Sequence, residues 1–388
     1  MATYKEQNKQ NVPHLRFSEF HGEWEKCKLG DIAEFSTARI SSVKLDCKNY
    51  VSTENMLQDF QGVVEAKSVP NETNVISFTC GDILISNIRP YLKKVWKATF
   101  DGGCSSDVFV LQATDTVAKD YLHYAVANDK FINYVMSGAK GVKMPRGDKN
   151  QMRTYQLSLP SIQEQYKIAK LLTLLDERIA TQSKLIEDLK KLKSAIIEIE
   201  YTPNTKTTSP IGDVIEQISK RNKNNAIQNV LSVSNRQGFI KQSDQFENRN
   251  VASEDTSNYK IVEQNDFVFN PARINVGSIA RLTTFEKGIV SPMYVCFRTQ
   301  ENVAPEYIDY FFESKHFYCE IQKRLEGSVR QCLSFEGLCN IPLSLPSFEI
   351  QQRIGKRIFT LEQKIKMETD LLELLNKQKQ YLLRQMFI

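Results

Sequence analysis

The sequence predicts an α+β protein with two similar globular α/β domains, each followed by a long helix, and with the two helices forming an intramolecular antiparallel coiled coil. The segment LSLPS that starts at Leu157 returns at Leu343, and aligning Ser161 with Ser347 sets an offset of 186 residues. That offset continues without a gap through the apolar-periodic segment after each copy. Upstream of each helix, short β-type runs alternate with turn residues. The predicted boundaries are 1–157 and 203–343 for the domains, and 158–202 and 344–388 for the helices.

Composition is typical of a protein with more than one core, because 388 residues with 41% hydrophobic and 25% charged side chains can bury a large apolar surface. The opening MATYKEQNKQN lacks an apolar signal region, and no apolar run approaches the roughly 18 residues of a membrane span. We therefore expect a cytoplasmic location. The eight cysteines are scattered without a CxxC pair, which predicts free thiols and no metal site. A net charge of +5 permits DNA binding without requiring it.

Each globular domain contains the same short acidic and basic pattern. Asp82 precedes the strand-like Ile-Leu-Ile and is followed by Arg89, and Asp266 precedes Phe-Val-Phe and is followed by Arg273. Aspartate is common in turns, so the two aspartates are predicted to shape turns rather than to act as catalytic acids. Each arginine could contact phosphate or guanine, or it could form an internal salt bridge to its own domain's aspartate.

Farther along, aromatic residues recur at helical spacing and predict a core helix in each domain. They are Tyr121, Tyr124 and Phe131 in the first copy and Tyr307, Tyr310 and Phe317 in the second. A glycine then begins a polar loop in each domain, at Gly141 and Gly327.

The segment after Ser161 is free of Pro and Gly until Pro203, and Ser161 with Glu164 forms a predicted capping box. Its apolar residues recur at steps of four and three, which predicts a heptad seam. The predicted seam residues are Ile168, Leu172, Leu175, Ile179, Gln182, Ile186 and Leu189 in the first helix, and Ile354, Ile358, Leu361, Ile365, Glu368, Leu372 and Leu375 in the second. The polar interruptions fall at identical positions, through either selection of register or shared ancestry. Helices that pair with flush ends would bring Gln182 opposite Glu368. Alternatively, each helix packs only on its own domain.

The parallel openings LGDIAEF and IGDVIEQ are followed by unlike loops that are rich in Lys, Arg, Asn and Ser. A shared scaffold with different loops suits two readers of different ligands, and these residue types make base and phosphate contacts in DNA complexes. A solvated loop explains any single one of them equally well.

The whole pattern resembles the specificity subunit of Type I restriction-modification systems. The resemblance rests on the opening LRFSEFHGEWEKCKLGDIAEF, the two LPS segments with their long helices, and Asn270-Pro-Ala-Arg-Ile-Asn-Val-Gly-Ser-Ile-Ala280 in the second domain. The first domain departs from it, with Asn87-Ile-Arg-Pro where the second has Pro271-Ala-Arg-Ile. The resemblance implies that each domain is a target-recognition domain that reads half of a bipartite duplex DNA target. It also implies that the helices set the spacing and dock two adenine-specific DNA methyltransferase subunits, and that restriction and translocase subunits join the complex.

Within this interpretation the candidate DNA contacts are basic residues, amides and one hydroxyl in the variable loops. They are Arg39, Lys44, Asn87, Arg89, Lys93, Lys94, Lys143, Arg146, Lys220, Arg221, Lys223, Asn235, Arg236, Arg273, Asn275, Ser328 and Arg330.

No catalytic motif is found in this chain. Asn270-Pro-Ala-Arg273 fails the Asn-Pro-Pro-aromatic pattern of a methyltransferase at its third and fourth positions, and neither a Walker A loop nor an HExxH or GxSxG motif is present. We therefore expect no cofactor in this chain, and S-adenosylmethionine, ATP and magnesium on its partner subunits. The alternative from another class is a tandem-domain coiled-coil scaffold or adaptor that binds protein partners without DNA recognition. Retention on duplex DNA that depends on salt would distinguish the two.

Overall fold

The computed structural model describes residues 11–203, 208–235, 237–245, 255–327 and 331–388, which form two compact units. The first unit contains the described residues up to 182 together with 371–388, and the second contains those between 183 and 370. Each unit therefore combines one globular domain with parts of both long helices.

The first unit is built from short strands with helices between and after them. In chain order its elements are β1 (Glu25–Lys28), α1 (Leu29–Ile32), β2 (Ala33–Phe35), β3 (Arg39–Ser41), β4 (Tyr50–Val51), β5 (Asn74–Phe78), β6 (Ile83–Ser86), β7 (Val95–Lys97), β8 (Gly102–Cys104), β9 (Val108–Ala113), α2 (Lys119–Val126), α3 (Asp129–Ser137), α4 (Lys149–Arg153), β10 (Gln156–Leu159) and the start of the long helix α5 (Ile162–Glu200). Single 3₁₀ turns lie at Ser42–Lys44 and Pro90–Leu92.

The second unit follows the same plan. Its elements after α5 are β11 (Thr208–Pro210), β12 (Ile215–Ile218), β13 (Val230–Ser234), β14 (Gly238–Lys241), α6 (Gln242–Gln245), β15 (Lys260–Glu263), β16 (Phe267–Phe269), β17 (Ile279–Arg281), β18 (Lys287–Val290), β19 (Val295–Thr299), α7 (Pro305–Phe311), α8 (Lys315–Gln322), α9 (Phe335–Cys339), β20 (Pro342–Ser344) and the long helix α10 (Phe348–Met386). Its 3₁₀ turns lie at Ile211–Asp213 and Ile274–Val276.

Each unit contains its own copy of a four-stranded antiparallel sheet with the same strand order. Its strand order is β2-β9-β6-β7 in the first and β12-β19-β16-β17 in the second, with antiparallel neighbours throughout. The interior strands β6 and β16 read Ile-Leu-Ile-Ser and Phe-Val-Phe, and every one of these residues is buried. Apolar runs without alternation belong in strands that are covered on both faces, which explains why they take interior positions.

The second sheet differs between the units at its edges. Its order is β3-β5-β8-β4 in the first unit and β14-β13-β18-β15 in the second, and β4 with β8 corresponds to the parallel pair β13 with β18. The first unit therefore adds β3 beside β5, whereas the second adds β14 beside β13. The edge of this sheet is where the two units have diverged most.

The repeated aromatic residues lie in the core as predicted, but each unit carries them on two successive helices, α2 and α3 or α7 and α8, and not on the single helix that was predicted. Tyr121 and Phe131 in α2 and α3 are fully buried, as is Tyr307 in α7. Equivalent hydrogen bonds fix them, because the Tyr121 hydroxyl donates to the Ser158 carbonyl at 3.2 Å and the Tyr307 hydroxyl donates to the Ser344 carbonyl at 2.7 Å.

The start of each long helix is tied to its domain by a buried glutamine. The side chain of Gln165 accepts a hydrogen bond from the Ala118 amide at 2.8 Å, and that of Gln351 accepts one from the Ala304 amide at 2.9 Å. At the first helix start the Ser161 hydroxyl accepts from the Glu164 amide, as predicted. The Glu164 carboxylate, however, pairs with Arg16 at 2.8 Å instead of completing the predicted capping box.

The long helices run antiparallel where they meet inside the second unit. Lys193 of α5 contacts Glu362 of α10, and seven residues later Glu200 contacts Arg357, so rising numbers on one helix meet falling numbers on the other. In the first unit, Leu172 near the start of α5 shares a core with Leu383 near the end of α10. All predicted seam residues are buried or half-buried. Gln182 and Glu368 are both among them, and their predicted pairing stays a prediction.

Candidate nucleic-acid interface

Two of the predicted DNA-contacting loops of the first unit lie side by side. The amide of Arg89 donates to the Pro145 carbonyl at 2.8 Å, and the amide of Gly147 donates to the Asn87 carbonyl at 3.0 Å. Arg89 has a left-handed backbone with φ of 50° and an exposed side chain. It forms no ion pair with any residue in the described part of the chain. The alternative of a salt bridge to Asp82 is therefore wrong for this arginine.

The loop that contains Lys143 and Arg146 is closed at its base by two backbone hydrogen bonds between Lys140 and Arg146, of 3.0 and 2.9 Å. Gly141 begins it with φ of +98°, a conformation that favours glycine. Lys143 is exposed at the tip, whereas the Arg146 guanidinium lies 3.1 Å from the Asp107 carboxylate. Lys143 is thus the more available cation of the two.

The neighbouring lysines are already used inside the first unit. Lys93 lies 2.8 Å from the Asp129 carboxylate, and the Lys94 ammonium donates to the Thr53 carbonyl at 2.6 Å. Burial lowers the pKa of Lys94. Both lysines therefore stabilise the segment before β7 through contacts inside the first unit, although Lys93 remains partly exposed.

Arg39 and Arg221 occupy equivalent places, a relation that the unlike sequences around them hide. Arg39 pairs with Ile76 and Arg221 with Lys260 in matching antiparallel bridges. The Arg39 guanidinium donates to the Asn74 carbonyl at 3.1 Å, and that of Arg221 donates to the Asn258 carbonyl at 2.9 Å. Each arginine holds its own loop, so one donor of each guanidinium is committed before any DNA arrives.

Beside Arg221, the second unit has an open basic concavity of about 740 Å³. Lys220 and Lys223 line it and are exposed, as is Lys44 in the first unit. Lys287 also lines it and lies 2.9 Å from the Glu263 carboxylate. The concavity therefore offers two exposed lysines that form no ion pair with any residue the structure describes, and these suit phosphate contacts.

Arg273 follows strand β16 and is exposed at the start of a 3₁₀ turn. Like Arg89, it forms no ion pair with a described residue. The expected internal partner, Asp266, instead accepts two hydrogen bonds from Arg298, at 3.0 and 3.1 Å. The salt-bridge alternative is therefore wrong here too, and the guanidinium is available to a ligand.

The remaining candidates of the second unit are placed unevenly. Asn235 is exposed and its Cβ lies close to Gly277, so it borders the turn that begins at Arg273. Asn275 is half-buried within that turn. Three candidates, Arg236, Ser328 and Arg330, lie outside the described residues.

The predicted turn role of the two aspartates agrees with the structure. Asp82 accepts from the Thr79 amide at 2.8 Å, and Asp266 accepts from the Glu263 amide at 2.7 Å, so each carboxylate closes the turn before its strand. Both are buried. No cluster of metal-binding side chains occurs among the residues that the structure describes.

A pair of related polar clusters on the long helices was not predicted. In the first unit the Tyr124 hydroxyl donates to Asp176 at 2.9 Å, and Lys379 lies 2.6 Å from the same carboxylate. In the second unit, Tyr310, Glu362 and Lys193 repeat this arrangement, with the tyrosine bond at 2.8 Å and the lysine contact at 2.5 Å. All three residue pairs obey the 186-residue offset, which was the sequence signal that could have revealed them.

Two copies of one scaffold with different loops define a class of protein in which two similar domains bind different ligands. Comparison with known proteins gives the family. Residues 21–191 and 203–377 match the Type I restriction modification DNA specificity domain. The chain therefore belongs to that family. It is a non-catalytic DNA specificity subunit of a Type I restriction-modification system, with two target recognition domains.

Individual relatives agree with this assignment. The chain is 24% identical over 424 residues to the Type I restriction enzyme MjaVIII specificity subunit of Methanocaldococcus jannaschii, covering 98% of this chain and 95% of that protein. It is 24% identical over 152 residues to the EcoDI specificity subunit of Escherichia coli, covering 38% of this chain and 33% of that protein.

Solved structures show the same fold. The S subunit of a Type I system from M. genitalium matches with a TM-score of 0.61 and 15% identity, covering 97% of this chain and 99% of that one. A chain from a structure described as the basis of complex assembly and conformational transition of the type I R-M system matches with a TM-score of 0.54 and 16% identity, covering 93% and 96%. None of the described helices combines the length and apolar character needed to cross a membrane.

Proposed function

We propose that each globular unit reads one half of a bipartite duplex DNA target. The observation that carries this proposal is a shared loop frame with different contents. The bond from the Gly147 amide to the Asn87 carbonyl is repeated by the bond from the Leu333 amide to the Pro271 carbonyl. Each lies close to an exposed arginine that forms no ion pair with a residue in the described part of the chain. A frame kept constant while its loops vary is what two readers of unlike half-sites require.

Within this proposal the candidate contacts fall into two groups. Arg89 and Arg273 are exposed and uncommitted, so they suit bidentate contacts with guanine or phosphate. Lys44, Lys143, Lys220 and Lys223 are exposed point charges and suit the phosphate backbone. Arg39, Arg221 and Lys94 hold their own loops and contribute to DNA binding mainly by positioning them.

The helices are proposed to set the gap between half-sites and to dock two adenine-specific methyltransferase subunits. The stretch from Ile168 to Ile196 is about 42 Å long at roughly 1.5 Å per residue, close to the roughly 34–36 Å between sites one DNA turn apart. In the second unit, α5 exposes Leu185, Leu192 and Ile199 at heptad spacing, with exposed fractions of 40%, 50% and 74%. Apolar side chains in such a row suit a protein partner.

S-adenosylmethionine, ATP and magnesium are proposed to bind on the partner subunits, together with restriction and translocase subunits that complete the complex. This chain then supplies sequence choice alone.

The test is single-molecule sequencing of modified adenines in a host with and without this chain, while its candidate methyltransferase partner is kept present. Loss of methylation at one bipartite motif on deletion is the expected result, and it names both half-sites. An unchanged methylome would contradict the proposal. Replacing Arg273 with Ala should weaken binding to the cognate duplex, by about 1–3 kcal/mol if it reads a base.

A further inference from the structure

The loop from Lys140 to Arg146 in the first unit holds an apolar tip out into solvent. Val142 is 100% exposed and Met144 is 48% exposed, on either side of the exposed Lys143. Single exposed apolar residues are ordinary on protein surfaces. Two such residues on one short loop tip, with Lys143 between them, form a small apolar surface next to a positive charge.

The base of this loop is fixed by hydrogen bonds and an ion pair. Two backbone hydrogen bonds join Lys140 to Arg146, and the loop is attached to the neighbouring segment through the carbonyls of Pro145 and Asn87. The guanidinium of Arg146 is fixed by Asp107 at 3.1 Å. A supported base means that the tip pays little conformational entropy when it meets a ligand.

The charges around the tip indicate the chemistry of that ligand. Lys143 and Arg89 form no ion pair with any described residue. The carboxylates in contact with this loop belong to Asp107, which pairs with Arg146, and to Asp148, 3.6 Å from the Lys140 ammonium. An apolar tip that carries Lys143, with Arg89 in the adjoining segment, complements a polyanion that presents apolar groups between its charges. In duplex DNA the thymine 5-methyl group, displayed in the major groove, is such a group.

The second unit has the same bridge at the base of the corresponding segment, with a different sequence between the bridge residues. Lys140 and Arg146 pair as Glu326 and Cys332 do, at the same 186-residue offset. Between these two bridge residues, the sequence has Ser328 at the position that corresponds to Val142. A tip that reads bases should differ between readers of two half-sites, whereas a tip that only closes a loop need not.

We propose that Val142, supported by Met144, contacts a thymine 5-methyl group in the half-site read by the first unit. The inference rests on the proposed function and deepens it, because it assigns an apolar base contact beside the polar ones. Burying one methyl group against Val142 should strengthen binding about fourfold, and closer to tenfold if Met144 also closes over it.

The experiment uses the full chain assembled with its methyltransferase, and a duplex with the target found by methylome sequencing. Each thymine of the first half-site, on either strand, is replaced singly by deoxyuridine, which removes only the methyl group. We expect one replacement to weaken binding by about four- to tenfold. In V142A that same replacement should have no further effect, and the parent duplex should bind about as weakly as the substituted duplex binds to the wild type.

V64A is the matched control, because Val64 is a 50% exposed valine outside the predicted DNA-contacting loops. It should respond to deoxyuridine as the wild type does. K143A separates charge from methyl recognition, since it should reduce the salt slope of binding by about one while keeping the deoxyuridine effect.

Equal binding of all deoxyuridine duplexes by the wild type, an undiminished effect in V142A, or a half-site without thymine would each overturn the inference while the proposed function stands. Failure of the wild-type complex to bind the parent duplex would instead overturn the proposed function, and the inference with it.

Discussion

Lys193 is predicted to stabilise the second unit by neutralising two carboxylates at once. Its ammonium lies 2.5 Å from Glu362 and 2.7 Å from Glu313, and its side chain is only 16% exposed. The carboxylate side chains are 35% and 47% exposed, so the cluster is neither a surface pair nor a fully buried one. Exposed pairs contribute about 0.2–1 kcal/mol, whereas removing one partner of a buried pair costs about 3–5 kcal/mol. We therefore expect K193M to lower the free energy of unfolding by about 2 kcal/mol, between these limits.

The assay is thermal unfolding of the full chain followed by calorimetry. For a unit of this size, about 2 kcal/mol corresponds to a Tm lower by roughly 4–8 °C. The matched control is K191M on the same helix, because Lys191 pairs with Glu187 at 2.5 Å but both side chains are more than 60% exposed. Because solvent screens this exposed pair, the control should leave the stability almost unchanged.

The pH dependence gives a second check with a definite sign. Burial raises the pKa of Glu313 in the folded state, against the opposing effect of Lys193. Without Lys193 the folded-state pKa rises further, so the fold increasingly prefers the protonated acid. The cost of K193M should therefore be largest at neutral pH and shrink as the pH falls toward the ordinary glutamate value of 4.5. Equal effects of K193M and K191M, or a cost that grows on acidification, would refute the reasoning.

Three further predictions follow from other contacts. Burial and the nearby Lys379 lower the pKa of His123 to about 4, so the first unit should lose about 2.5 kcal/mol of stability as the pH falls from 6.5 to 4. H123L should remove this loss, measured by urea unfolding with the fluorescence of Trp24 and Trp96, and a loss of the same size in H123L would contradict it. R221A should cost about 0.5–1 kcal/mol of stability, because its guanidinium holds the Asn258 carbonyl; measured against cognate and unrelated duplexes, it should leave sequence preference unchanged, and a change in preference would show that Arg221 reads bases. L192E should reduce co-purification of the methyltransferase at least tenfold with an unchanged Tm, since Leu192 is 50% exposed; normal assembly would exclude this helix face as the dock.

The sequence predicted those parts of the fold that depend on periodicity. The uninterrupted apolar spacing after Ser161 indicated a long helix, and α5 and α10 each have 39 residues. The aromatic spacing around Tyr121 and Tyr307 indicated core helices, and both tyrosines are fully buried. Periodicity reports burial directly, because a side chain that must face the core recurs once per turn.

Other features could not be predicted from the sequence, because they depend on contacts between segments that are distant along the chain. Arg39 and Arg221 are separated by 182 residues, whereas the long helices repeat at an offset of 186 residues. The segments between each arginine and its helix therefore differ in length, and an alignment at the helix offset does not bring the two arginines together. The carbonyls that they hold, at Asn74 and Asn258, cannot be identified before the strands are paired. The same holds for Lys94, which looked like a free cation until its contact with Thr53 was known.

The two sequence repeats do not fold separately, because each globular domain is completed by the long helix of the other repeat. The first unit completes its core with the end of the second long helix, where Phe387 stacks on Tyr121 with ring centres 5.2 Å apart. The second unit uses the end of the first long helix in the same way, with Tyr201 packed 4.8 Å from Tyr307.

The lysines of the two polar clusters are exchanged between the repeats in the same way. The first unit takes Lys379 from α10 to pair with Asp176 of α5, and the second takes Lys193 from α5 to pair with Glu362 of α10. Each repeat therefore supplies the residue that closes the other repeat's domain. Because half of every such contact lies in the other repeat, substitutions in one long helix should be felt in both recognition domains, whereas substitutions at the loop tips should alter only the domain that carries them.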